Sequence, residues 1–168
     1  LVGFDYSYKG DALTKRVAEI LNLPDIDSWS VVDRDGPLAL VHYNENKTNS
    51  KDFREVDLDV YGHLRGLLVD VETGAVIMNS FGYTPTVVCD ELVANDHGQL
   101  ILTDKKDQTH TYDLSRTVIK RAYEGVVIRV IWYNGKCYRS THRKIHPINS
   151  RWGKSPVFLD MYEEAGGP

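Results

Sequence analysis

The sequence has little cysteine and no long apolar run, and each shortage excludes a class of protein. Cys89 and Cys137 lie far apart and form no CxxC pair or zinc-spaced cluster with histidine. This excludes a disulfide scaffold and a structural zinc site, and it favours a reducing compartment. The longest apolar stretches, such as residues 126–131, fall far short of the ~20 residues that a membrane-spanning helix needs. We therefore expect an intracellular, cytoplasmic protein with no membrane contact.

Several motifs of nucleotide and metal chemistry are also missing. The sequence contains no GxGxxG fingerprint and no GxxxxGK phosphate loop, which disfavours Rossmann and P-loop nucleotide binding. It contains no GxSxG elbow either. Six histidines are present without an HExxH pair, so we predict no metal site.

What the sequence does contain is the composition of an ordinary folded protein. Its 168 residues are 42% hydrophobic and 26% charged, which suits a single domain, 1–168, with one core. Because the chain starts without methionine and ends at Gly-Gly-Pro, we expect a piece of a longer protein.

Charge is strongly segregated along the chain. Residues 1–114 carry 10 Lys/Arg and 20 Asp/Glu, whereas residues 115–154 carry 10 Lys/Arg and a single acid, Glu124. Such a basic window indicates an anionic partner, because clustered cations concentrate phosphates in their summed field. The alternative is a basic sheet that pairs with the acidic half of its own domain, and charge alone leaves both readings open.

Hydrophobic patterning predicts one early helix followed by strands. Leu13, Val17 and Leu21 lie on one stripe of a helix over Asp11–Leu21, with Asp11 as N-cap. Residues 64–71 and 75–80 are predicted to form one strand pair, and residues 100–103 and 109–112 another.

The clearest hairpin joins residues 126–133 to 136–141 through Asn134-Gly135, the dipeptide typical of a type I′ turn. Alternation places Val130 and Trp132 on one face, predicted to be core, and Arg129 on the other, more polar face.

The C-terminal region predicts a short final helix. Ser155 is its expected N-cap, Pro156 its first residue and Gly166 its end. The predicted class is α+β, with a mostly antiparallel, twisted sheet and a few flanking helices.

Four places in the chain stand out. Arg65-Gly66 opens an apolar strand, where an arginine beside a glycine either admits a phosphate or base closely or forms a bulge with a surface arginine. Glu124-Gly125 precedes the basic hairpin and carries little information by itself. Residues 140–144 follow the hairpin with hydroxyl, imidazole and cationic donors, which suit phosphate oxygens or a solvated strand end. Trp152 suits either base stacking or a core cap, and its bulk favours the core.

Taken in order, these segments resemble the adenylation domain of the phage-type and viral RNA ligases, within the covalent nucleotidyltransferase superfamily. The first segment is HLRGLLVD at 63–70 with TGAVIMNSF at 73–81. The second is AYEGVVIR at 122–129 with NGKCYRSTHR at 134–143, which looks like the family's Lys-x-Asp-Gly motif and its following hairpin.

The resemblance implies a ligase-type nucleotidyltransferase fold, related in kind to ATP-grasp enzymes, with ATP and Mg²⁺ as cofactors when active. It places Ala122 where the nucleophilic lysine stands, and an alanine methyl group cannot attack a phosphate. Lys120 is a possible substitute nucleophile. Alternatively, residues 124–129 correspond to the family's later Glu-Gly strand motif. The nucleotide-binding residues implied are Arg65, Gly66, Glu124, Gly125, Arg129, Thr141, Arg143 and Lys144.

Three functions follow from this reading. The first is a catalytically inactive RNA-ligase-like domain, truncated before the later motifs, that retains nucleotide or RNA binding. The second is a structural or assembly subunit, possibly viral, that is built on a degenerate ligase fold and meets protein partners. The third is a fragment of an active ATP-dependent RNA ligase with an engineered Lys-to-Ala change at position 122. In the first two, no cofactor is needed.

Overall fold

The computed structural model describes residues 9–23, 27–44, 61–80, 89–104, 109–121 and 125–167. The chain divides into two compact units. Unit 1 comprises Leu1–Tyr83 and Val126–Pro168, and unit 2 comprises Thr84–Gly125. The single domain expected from chain length stays a prediction.

A four-stranded antiparallel sheet is the centre of unit 1. Its strands are β1 (Trp29–Asp35), β2 (Leu38–Tyr43), β3 (Arg65–Asp70) and β4 (Val76–Met78), in that spatial order. The pairing of β3 with β4 confirms the first predicted strand pair. Strand β2 is buried along its whole length, because both of its faces are covered.

Helix α1 (Asp11–Leu21) has the predicted bounds and buries Leu13 and Val17. The predicted N-cap is wrong by one residue, since Gly10 takes that position with a φ of 55° and no side-chain capping bond. Asp11 is instead the first helical residue, where its negative charge favours the positive end of the helix dipole.

The first core cluster joins α1 to one face of the sheet. Its buried members are Leu13, Val17, Leu23, Trp29, Ala39, Val41, Tyr43, Tyr61, Leu64, Leu67, Val69 and Val71. Because side chains alternate along a strand, the neighbours of these residues point to the opposite face.

The second core cluster covers that opposite face with the hairpin of β8 (Arg129–Tyr133) and β9 (Lys136–Ser140). Its buried members are Leu38, Leu40, Leu68, Tyr138 and Ile145. Asn134 and Gly135 have φ values of 48° and 74°, as the predicted type I′ turn requires.

The predicted orientation of this hairpin is wrong. Ile131 and Tyr133, on the face that carries Arg129, pack against the second core cluster. Val130 and Trp132 face outward, and Trp132 is 74% exposed. Arg129 is tolerated on the inner face because backbone carbonyls accept its hydrogen bonds.

The final helix, α2 (Phe158–Glu164), begins later than predicted. Its N-cap is Val157, in an extended conformation, rather than Ser155. The amide of Phe158 donates instead to the carbonyl of Ser150, which fixes where the helix starts. Gly166 lies past the last turn with a φ of 84°, as predicted.

Unit 2 contains an antiparallel sheet of β5 (Cys89–Ala94), β6 (Gln99–Asp104) and β7 (Thr109–Asp113), in that order. The pairing of β6 with β7 confirms the second predicted strand pair. The fold is therefore mixed α and β with antiparallel sheets, as predicted at the level of class. Among the described residues, no helix combines the length and the apolar character needed to cross a bilayer.

Candidate functional site

Strand β3 and the end of β9 meet at Gly66. Gly66 has a φ of 85°, and a Cβ built on it lies 2.6 Å from the Cα of His142 and 2.9 Å from Nη2 of Arg129. Only a glycine leaves room for so close an approach of two backbones. The Arg-Gly strand and the basic hairpin, which are predicted to share one site, are thus in direct contact.

Arg129 ties the two elements together. From β8, its Nη1 donates to the carbonyl of Gly66 at 2.6 Å, and its Nη2 donates to the carbonyl of Thr141. No described carboxylate forms an ion pair with it, and its pKa is lowered to about 10 by burial. Arg129 therefore positions the site and leaves a positive charge inside it.

His142 lies within this positive region. Burial is the largest cause that lowers the pKa of His142 to about 4. The other causes are the charges of nearby basic groups, namely His42, Arg65, Arg143 and Arg129. The named charges all disfavour the protonated imidazole, so His142 is neutral at pH 7.

His42 contacts His142 from the buried strand β2. It is fully buried in β2, its Nδ1 lies 2.7 Å from the carbonyl oxygen of Tyr43, and its ring centroid is 5.4 Å from that of His142. Sequence reasoning missed His42, although a histidine inside the apolar run LALVHY was a signal that could have singled it out.

Thr141 shapes the turn that follows β9. Its side chain is buried, and its Oγ1 accepts from the amides of Arg143 at 3.2 Å and Lys144 at 3.1 Å. The turn leaves Arg143 and Lys144 on the surface. Thr141 thus stabilises the turn that places Arg143 and Lys144 on the surface.

Lys144 and two other basic residues pair with acids of the same unit. Nζ of Lys144 lies 3.5 Å from Oδ1 of Asp33, and Nζ of Lys136 lies 2.8 Å from Oδ2 of Asp35. Arg139 pairs with Glu163 of α2. Part of the basic window is therefore neutralised within the domain, as the alternative reading of the charge expected.

Asp33 and Asp35 are two further residues that sequence reasoning missed. Oδ2 of Asp33 accepts from the amide of Ile145 at 2.8 Å, and Oδ2 of Asp35 lies 2.8 Å from Nε2 of His146. Both lie on β1, more than a hundred residues before their partners, so no local pattern connects them.

Of the predicted site, the structure brings together Arg65, Gly66, Arg129, Thr141 and Arg143, with Lys144 one residue further on. Ala122 and Glu124 lie outside the described residues. Lys120 and Gly125 are exposed residues of unit 2. Within the described part of the chain, no group of three or more His, Cys, Asp or Glu side chains is placed to hold a metal ion.

Comparisons with known proteins find viral relatives. No protein-family model and no solved structure matches the chain. It is 34% identical over 70 residues to a protein described as "Immediate-early protein ICP-46 homolog" from Invertebrate iridescent virus 3. It is 34% identical over 68 residues to a protein of the same description from Invertebrate iridescent virus 6.

These matches cover 42% and 39% of this chain. The chain spans 15% of the length of each relative. The similarity to viral proteins is compatible with the expected viral origin, whereas the resemblance to RNA ligases stays a prediction.

Proposed function

We propose that unit 1 binds phosphate groups of a nucleotide or RNA at a site formed by Arg65, Arg143 and the half-buried Arg129 around His142. We call this the phosphate site. It belongs, in this proposal, to an RNA-ligase-like nucleotidyltransferase domain that has lost the covalent step, since Ala122 carries no nucleophile.

The observation that carries the proposal is the concentration of three arginines, Arg65, Arg129 and Arg143, around His142. Arg65 is exposed and forms no ion pair with any described carboxylate. It acts electrostatically on His142 together with Arg129 and Arg143. An exposed guanidinium such as that of Arg65 binds phosphate oxygens through two parallel hydrogen bonds, whereas Arg129 donates to backbone carbonyls and contributes its charge.

The residues present fit the phosphates of ATP better than they fit Mg²⁺. The residues assigned to the phosphate site are three arginines and a neutral histidine, and the described residues hold no carboxylate cluster for a divalent ion. We therefore expect phosphate binding to persist when Mg²⁺ is removed with a chelator.

The binding proposal is tested with a fluorescent, 5′-phosphorylated RNA oligonucleotide and the full chain. Arg65→Ala is expected to weaken binding and to reduce the slope of log affinity against log salt by about 1, because one phosphate contact is lost. Lys15→Ala is the matched control, since Lys15 is an exposed cation on α1 of the same unit. Equal affinities for wild type and Arg65→Ala would refute the phosphate site.

The absence of a covalent step is tested separately. Incubation with α-labelled ATP and Mg²⁺, followed by a denaturing gel, is expected to leave the protein unlabelled. A labelled band would overturn this part of the proposal. Loss of that band in Lys120→Ala would then assign Lys120 as the nucleophile.

A second candidate, a structural or assembly subunit, is favoured by the ion pairs of Lys136, Arg139 and Lys144 with acids of their own unit. In this case the basic hairpin stabilises the fold and meets a protein partner. Undetectable RNA binding even at low salt would support the subunit over the phosphate site.

A further inference from the structure

A second group of exposed basic residues accompanies Trp152 and shares no residue with the phosphate site. Trp152 is 57% exposed, although its bulk predicted a core cap. Its indole contacts Phe158 edge to face, with ring centroids 5.4 Å apart and an interplanar angle of 75°. Phe158 is buried, so it anchors one edge of an indole that is otherwise open to solvent.

The loop that carries Trp152 is held by backbone hydrogen bonds. The amide of Ser155 donates to the carbonyl of Trp152 at 2.9 Å, and the amide of Phe158 donates to the carbonyl of Ser150 at 2.9 Å. The amide of Ser150 in turn donates to the carbonyl of Pro147 at 3.0 Å. The ring is thus presented by an ordered turn, which reduces the entropy lost when a ligand stacks on it.

Two cations accompany this ring. Arg151 precedes Trp152 directly and Lys154 follows it by two residues, with Gly153 between them at a φ of 54°. Both cations are exposed, and neither forms an ion pair with a described carboxylate. They differ in this from Lys136, Arg139 and Lys144, whose charges are compensated.

We propose that Arg151, Trp152 and Lys154 form a stacking site for single-stranded RNA, in which a base lies on the Trp152 indole and the two cations contact its flanking phosphates. The proposal rests on the proposed function for the nature of the partner and adds a separate contact surface to it. An exposed aromatic ring between cations is the arrangement by which proteins hold single strands without reading their sequence.

The site is tested by measuring fluorescence anisotropy of a labelled single-stranded RNA and of an abasic oligonucleotide of equal length and charge. Trp152→Leu keeps apolar bulk against Phe158 but removes the stacking face. We expect it to weaken RNA binding between about 5-fold and about 100-fold, and to leave the abasic oligonucleotide unaffected. Trp152→Phe, which restores an aromatic face, is expected to recover most of the affinity.

Trp132→Leu is the matched control. Trp132 is an even more exposed indole of unit 1, but it has no Arg or Lys beside it in sequence. Equal losses in Trp132→Leu and Trp152→Leu would overturn the site. The site would also be overturned by a second result. In that result, wild type binds vesicles of phosphatidylcholine and phosphatidylserine, and Trp152→Leu abolishes this binding while the RNA affinity stays unchanged.

The two proposals fail in different ways. If Arg65→Ala weakens RNA binding and Trp152→Leu does not, the stacking site is wrong and the phosphate site stands. If Trp152→Leu alone weakens it, the phosphate site is wrong and the stacking site stands. If wild type binds no RNA at low salt, both are wrong.

Discussion

Gly66 is the residue at which β3 approaches the end of β9 most closely. Its φ of 85° is unfavourable for any side chain, and a Cβ would lie 2.6 Å from one backbone atom of His142 and 2.7 Å from another. Neither atom belongs to a flexible side chain, so the strands would have to separate.

We therefore expect Gly66→Ala to reduce the free energy of unfolding by about 2–4 kcal/mol, measured by urea denaturation. Gly135→Ala is the control, because Gly135 has a φ of 74° but no atom within 4 Å of its added Cβ. Its free energy of unfolding is expected to fall by only about 1 kcal/mol, because the added Cβ introduces backbone strain but no clash. Equal losses in both variants would show that β3 and β9 are not in contact.

His142 gives the stability a pH dependence. Its folded pKa of about 4 lies below the ordinary value of 6.5, chiefly because of burial. Between these values the unfolded chain binds a proton that the folded protein does not, so stability falls as the pH drops from 6.5 to 4. Below about pH 4 the folded protein binds the proton as well, so the loss attributable to His142 levels off there.

We expect His142→Asn to lose less stability than wild type between pH 7 and pH 4.5 in urea denaturation. A histidine NMR titration is expected to give a pKa for His142 near the value of about 4. A titration midpoint at the ordinary value would contradict the crowded, positive environment of the imidazole.

At the scale of elements, the contact between β3 and the β8–β9 hairpin depends on Arg129. Its guanidinium donates to carbonyls on both sides of the junction, at Gly66 and Thr141. Removing it leaves two carbonyls without their donor and opens a space between the elements.

Arg129→Ala is expected to lower the free energy of unfolding by about 2–4 kcal/mol, because buried hydrogen bonds to a charged group are lost. Arg139→Ala, which removes an exposed ion pair with Glu163, is the control and is expected to change it by at most about 1 kcal/mol. Thermal or urea unfolding compares the two. If Arg129→Ala lowered the free energy of unfolding less than Arg139→Ala, Arg129 would not be the residue that holds β3 and the β8–β9 hairpin together.

The hairpin also shows where local pattern succeeds and fails. Asn134-Gly135 predicts its turn correctly, because a type I′ turn requires positive φ at both positions and few dipeptides allow it. Which face lies inward is not local information. The apolar pair Val130 and Trp132 points outward because Ile131 and Tyr133 complement the second core cluster.

At the scale of the whole molecule, burial differs between the two units. Unit 1 contains both core clusters. Among the side chains described in unit 2, none is buried. Backbone hydrogen bonds in a region with few buried apolar contacts open more readily than those in a packed sheet.

We expect hydrogen exchange, followed by mass spectrometry, to be slower for β2 and β3 than for β6 and β7. Peptides from α1, which packs on the first core cluster, serve as an internal reference within unit 1. Equal protection of β3 and β6 would contradict this difference in burial.

The sequence alone determined the features that depend on neighbouring residues. Helix α1, the strand pairs and the Asn134-Gly135 turn follow from apolar periodicity and backbone preference. They lie close to the predicted positions, although β8 begins at Arg129 and not at residue 126. The sequence also indicated Arg65, Gly66 and Arg129 as one group, through their place in an ordered set of motifs.

Tertiary structure alone decided which charges are compensated and which are not. Asp33 and Asp35 neutralise Lys144 and Lys136 from across the sheet, and His42 reaches His142 from a buried strand. Such pairs join residues about a hundred positions apart, and their energies depend on distance and burial, which no local pattern encodes.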